Sequence, residues 1–280
     1  MTRRLSGGTP SKFGELACLL AVLVWLLAGC SGESSSRRDG VASASDQSGN
    51  GAAGSDAQSD DPPTTEAGPP RAGDACLRPA DDASQVRFGP SAAIRGFLLG
   101  TGDRWVVLGH QSDGSSCQML PLARQLAPSG YRVLALDFSG HGSSLPAKAR
   151  QRVLADDLID AVAYARAHGA RSVALVGASM GGYASLGAAL RLGDDVQAVV
   201  SLSAPSLYSD GGDTVNIRGL ATPTLLYVGR DDISFVYPNR AFARQDPGAE
   251  LHVLPTSSHG VNLVDAAVLR GIEEFLAQQL

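Results

Sequence analysis

From residue 75 onward the chain alternates between two kinds of segment, and this alternation limits its fold more than any other feature. Short apolar runs recur at 94–99, 105–109, 131–137, 172–176, 196–201, 224–228 and 250–254. Several are unbroken, as strands buried on both faces are. Between them lie amphipathic stretches at 116–128, 147–167, 180–192, 236–245 and 262–278. In the second of these, Val153, Leu154, Leu158, Ala161, Val162 and Ala165 share one helical face. Strands alternating with helices predict an α/β fold: a mostly parallel sheet of about seven to eight strands, flanked by helices. Residues 75–280 show no internal repeat and suit one domain.

The chain before residue 75 has two other compositions. Arg3, Arg4 and Lys12 precede the apolar run 16–27, which ends in Leu27-Ala28-Gly29-Cys30. A basic start, a short apolar stretch and small residues before a cut site make a secretory signal, 1–29. The run is about a dozen residues, short of the roughly 20 that span a bilayer as a helix. Residues 31–74 hold one large aliphatic, Val41, and no aromatic. Such a stretch buries too little apolar area to offset its ordering entropy, so 30–74 is expected to be a disordered tether. Its r.m.s. span would be roughly 35–40 Å. It is acidic, with eight Asp/Glu against Arg37, Arg38 and Arg71, and so carries −5 of the −7 left once the signal's +2 is removed. That charge gives no reason to expect nucleic-acid binding. A mean hydropathy of 0.00 excludes a polytopic membrane protein.

The four cysteines are at 18, 30, 76 and 117. Cys18 leaves with the signal. An exported domain meets oxidising conditions, so Cys76 and Cys117 are expected to form a disulfide, two separate thiols being the alternative. No Cys/His spacing matches a zinc site, and no metal or cofactor is expected.

The chemistry centres on residues 173–182, where a strand runs into Gly177-Ala178-Ser179-Met180-Gly181 and then a helix. Gly-x-Ser-x-Gly alone says little in a chain with 33 glycines. Its context says more. A sharp turn after a strand needs small neighbours, and it sets the serine at a helix N-terminus whose dipole favours negative charge. A serine hydroxyl needs a base to take its proton. Two loops at strand ends supply partners in the order Ser, Asp, His: Gly229-Arg230-Asp231-Asp232, and Pro255-Thr256-Ser257-Ser258-His259-Gly260. Of the other histidines, His168 reads as a helix C-terminal residue, His252 as a structural strand residue, and His110 and His141 as loop-shaping.

With these residues the chain resembles the α/β-hydrolase superfamily over 86–280. Val107-Leu108-Gly109-His110 resembles the strand that leads into that family's oxyanion loop, and Asp137 to Ser144 its Asp-x-x-Gly-His-Gly-x-Ser segment. The resemblance implies a triad of Ser179, His259 and Asp232, the acid three residues past a glycine being chosen over Asp231. It implies an oxyanion hole of the Met180 and Gln111 backbone N–H groups. The family usually has Gly after the oxyanion-loop histidine, where this chain has Gln111, so the backbone donor is kept and the pocket beside it is expected to differ in shape. Only residues 204–222 separate the sixth and seventh strands, so little or no cap is expected. That suits a carboxylesterase or dienelactone-hydrolase-like enzyme. Leu-Ala-Gly-Cys resembles the bacterial lipobox, which implies that Cys30 is the lipidated first residue of a protein exported and anchored to a membrane of the cell envelope.

The function expected is hydrolysis of a small-molecule carboxylic ester through an acyl-enzyme, by a monomer. A peptidase or thioesterase would use the same triad. From another class, a catalytically idle hydrolase-fold lipoprotein would bind a ligand or partner instead. A nucleotide-binding reading of Gly177 to Gly182 fails, because Gly-x-Gly-x-x-Gly is absent and no acidic residue ends the next strand.

Overall fold

A computed structural model describes residues 76–146, 153–209 and 212–280. The signal, Cys30, the whole tether to residue 74, and positions 147–152 of the second expected helix lie outside the described residues.

The apolar runs become strands and the amphipathic stretches become helices. In chain order they are β1 (Ser84–Phe88), β2 (Ile94–Leu99), β3 (Arg104–Gly109), α1 (Leu120–Leu126), β4 (Arg132–Asp137), α2 (Leu154–Ala167), β5 (Ser172–Ala178), α3 (Met180–Leu192), β6 (Ala198–Leu202), β7 (Thr224–Gly229), α4 (Ile233–Gln245), β8 (Glu250–Leu254) and α5 (Ala266–Gln279). One eight-stranded sheet runs β1-β2-β4-β3-β5-β6-β7-β8. β1 and β2 pair antiparallel at one edge, and the strands from β4 onward pair parallel.

Side chains alternate between the two faces, as the two-residue period of a strand requires. Along β3, Trp105 and Val107 join Leu134, Leu158 and Phe242 in one core, under α2, α3 and α4. Val106 and Leu108 join Leu126, Ile272 and Leu276 in the other, under α1 and α5. Both faces are covered, which explains why the central strands read as unbroken apolar runs.

Several boundaries differ from expectation; α2 begins only at Leu154, after an extended Val153, and three other helix starts also differ. The stretch 116–128 opens with a 3-10 turn, Ser116–Met119, before α1 begins at a Pro-containing first turn. α5 begins at Ala266, not 262, because Asp265 caps it: its side chain accepts from Ala267 and Val268 N–H. α4 begins at Ile233, directly after Asp232.

The Cys76–Cys117 disulfide is formed, with Cα atoms 5.7 Å apart. It fastens the start of the described domain to the turn that leads into α1. Arg124 supports it, donating to the Cys76 carbonyl and pairing with both Asp81 oxygens at 2.7 Å. The Arg124 hydrogen bonds hold the Asp81 carboxyl down at about 2. Between β6 and β7 the described residues form no helix; Val215, Ile217 and Leu220 pack into the core instead.

Candidate active site

Strand order reverses at β3, with β4 on one side and β5 on the other, which opens a crevice at the C-terminal strand ends. Gly109 pairs with Gly177 across β3 and β5, so both strands leave the sheet at one level. β5 then turns sharply into α3 at Ser179, whose φ of 49° and ψ of −111° are strained for a residue with a side chain. The glycines follow from close approach. A Cβ on Gly177 would run into the Gly181 carbonyl, and one on Gly181 into the Gly109 carbonyl. Ser179 N–H donates to Leu202 O at 2.8 Å, which fixes the turn to the end of β6. Met180 opens α3, so its N–H is among the first four without a partner inside the helix.

Asp232 and His259 come from the next two loops. Backbone bonds interlace these loops: Arg230 N–H donates to Leu254 O at 2.7 Å and Asp231 N–H to Thr256 O at 3.1 Å. His259 Nδ1 lies 2.8 Å from Asp232 Oδ2, and Phe235 packs on the ring with centroids 4.1 Å apart. The Asp232 side chain is 11% exposed and the His259 side chain 29%. Asp231 instead faces Arg230 at 3.1 Å on the surface. The next residue, Gly260, lies against the elbow, where a Cβ on it would sit 3.6 Å from Ala178 Cβ. The serine turn, the histidine and the aspartate therefore share one end of the sheet.

His110 is fully buried with both ring nitrogens committed. Nδ1 lies 2.7 Å from the Gln111 carbonyl, and Nε2 accepts from Phe138 N–H at 3.1 Å. Burial pushes its pKa down to about 4. It is a neutral strut under the loop, not a second base. Asp137 is equally structural, accepting from Ser116 N–H at 2.6 Å and Ser143 N–H at 2.7 Å. His168 ends α2 and stacks on Tyr164, and His252 stacks on Tyr227 beside Glu250.

Gln111 N–H, the second oxyanion donor expected from the sequence, is engaged here by Gln118 Oε1 at 3.3 Å. Gln118 and Phe235 have no signal in the sequence: Gln118 reaches the site from the 3-10 turn before α1 and Phe235 from the first turn of α4, placements that no spacing rule encodes. A cleft of about 680 Å³ opens on the Gln118 side, lined by Gln111, Gln118, Met119, Leu122, Leu202 and Val261 among others. Among the described residues no three His, Cys, Asp or Glu side chains converge as a metal site.

A family profile described as "alpha/beta hydrolase fold" matches residues 105–219. The chain has the α/β-hydrolase fold. Similar solved structures include an esterase from Pyrococcus furiosus, at 20% identity and a TM-score of 0.62, covering 71% of this chain and 92% of that one. A second comes from work on carboxylesterases of Nitrososphaera gargenis, at 17% identity and TM-score 0.58, covering 70% and 100%. A malate-bound thermophilic esterase from Thermogutta terrifontis aligns at 16% identity and TM-score 0.54, covering 70% and 98%. At these identities the likeness is one of α/β-hydrolase fold. No curated protein matches the sequence.

Proposed function

We propose that this chain is a serine hydrolase acting on small carboxylic esters. Ser179 Oγ attacks the ester carbonyl carbon while His259 takes the hydroxyl proton. The tetrahedral intermediate collapses, the C–O bond to the alcohol breaks, and His259 returns the proton to the leaving oxygen. Water then attacks the acyl-enzyme by the same route and releases the acid. Asp232 orients the imidazole and stabilises its charged form. The observation that carries this reading is the 2.8 Å bond from His259 Nδ1 to Asp232 Oδ2, made by a loop that packs on the strained serine turn.

The developing oxyanion would be held by Met180 N–H and Gln111 N–H. The second is engaged by a neutral amide oxygen at 3.3 Å, a long bond. An oxyanion is a stronger acceptor than an amide carbonyl and would displace it. The esterase neighbours support the ester reading over a peptidase or thioesterase. The signal pattern and Cys30 support export and a lipid anchor, with residues 31–74 as the spacer, and two or more acyl chains would hold it stably.

A fluorophosphonate probe tests the reading. The domain should be labelled covalently and the Ser179→Ala variant should not, with p-nitrophenyl acetate hydrolysis lost in parallel. A folded wild type that takes no label overturns it in favour of a binding protein.

A further inference from the structure

Gln111 replaces the glycine usual in the family, and its side chain has a defined task in this structure. It is 8% exposed and turned towards the His259 loop. Oε1 accepts from Val261 N–H at 3.1 Å, across 150 positions of sequence. Nε2 donates to Asp113 Oδ1 at 3.3 Å. The two bonds fix the amide orientation, since only the oxygen can accept and only the nitrogen can donate. Asp113 Oδ1 also accepts from Gln118 Nε2 at 3.1 Å, and Gln118 Oε1 accepts from Gln111 N–H. Hydrogen bonds from Gln118 and Gln111 hold the Asp113 carboxyl below its usual range, so it stays an acceptor at neutral pH. The ring Gln111, Gln118, Asp113 is thereby closed on one side and joined to Val261 on the other.

The far partner is shaped to fit. Gly260 has φ of 55°, and a Cβ there would collide with Gln111 Oε1. Val261 is two residues past His259. The carboxamide thus spans from the loop that carries an oxyanion donor to the loop that carries the base.

We propose that Gln111 is a positioning residue that locks the His259 loop to the oxyanion loop and holds base and oxyanion donor at a fixed separation. This rests on the serine-hydrolase reading. Backbone N–H groups, which do not depend on the side chain, remain the donors; the carboxamide acts through geometry. The titratable groups around it are Asp113, His259, the neutral His110 on its own backbone carbonyl and, across the cleft, Asp265.

Two variants test it. Gln111→Met keeps the bulk and loses both bonds. A misplacement of this kind lowers kcat by about 10- to 100-fold. KM should stay within about twofold, because no substrate contact is removed, and the thermal midpoint should be little changed. Gln111→Glu keeps an acceptor for Val261 N–H but sets a carboxylate oxygen against Asp113. It should be slow at high pH, and its rate relative to wild type should climb as pH falls and the new carboxyl protonates. The added charge would also raise the His259 pKa, but that lowers the ratio as pH falls, so a ratio that climbs reports the new carboxyl and not His259. A purely structural glutamine would give folded variants with wild-type kcat and a ratio flat with pH, and that result overturns the proposal. A labelled wild type with unaffected Gln111 variants overturns only this inference. An unlabelled wild type overturns the serine-hydrolase reading and this inference with it.

Discussion

At the scale of single residues, the pair Asp231 and Asp232 shows what one position decides. They are adjacent and chemically identical, yet only Asp232 reaches the imidazole; Asp231 lies in a surface pair with Arg230, both side chains more than half exposed. Surface pairs of this kind contribute about 0–1 kcal/mol. Asp232→Asn should lower kcat by on the order of 10³- to 10⁴-fold, since an amide no longer selects the productive tautomer. Asp231→Asn should change it by no more than about twofold. Steady-state assays of the two variants on one ester check this, and equal effects would remove Asp232 from its role. Ser179, Asp232 and His259 were visible as sequence candidates because chemistry restricts them to few residue types at strand ends. The engagement of Gln111 N–H by Gln118 was not visible, since it depends on a side-chain reach across a turn.

At the scale of elements, α3 shows how the fold holds its serine. Its first turn touches backbone: a Cβ on Gly181 would meet the Gly109 carbonyl and lie 2.8 Å from the His110 carbonyl. Neither can yield without moving β3. Gly181→Ala should therefore cost about 1–3 kcal/mol of stability and abolish probe labelling. Six residues on, Gly187 faces only Ala155 Cβ at 3.6 Å and Val215 Cγ2 at 3.9 Å. Gly187→Ala should gain about 0.5–1 kcal/mol through helix propensity alone. Urea unfolding of the two variants should give opposite signs. The legibility of the elements follows the same logic. β2 to β7 are buried along most of their length and announce themselves as apolar runs, while β8, an edge strand, is legible from Leu251, Val253 and Leu254 although none of them is fully buried. β1 is not legible as an apolar run, because it is an edge strand in which only Phe88 is buried and Ser84-Gln85-Val86-Arg87 carries no such run. The 3-10 turn before α1 reads as part of the helix because its buried Met119 directly precedes Leu120 and extends the apolar pattern of Leu122, Ala123 and Leu126.

For the whole molecule, the described chain is one sheet with helices on both faces, and the Cys76–Cys117 bridge closes its beginning. A loop of 41 residues implies about 3–4 kcal/mol of stabilisation by restriction of the unfolded chain. Cys76→Ser/Cys117→Ser should lose about that much in denaturant unfolding, with the denaturant slope rising slightly as the unfolded state expands; no change would mean that the Arg124–Asp81 pair alone holds the segment. The bridge also has a mechanical consequence. Tension entering the domain at residue 75 would pass from Cys76 directly to Cys117 and into the turn beneath α1. Residues 77–116, which include the edge strand β1, lie off this load path. The hydrogen bonds that could be unzipped one at a time are shielded from pulling, and the force meets the buried packing of α1 instead.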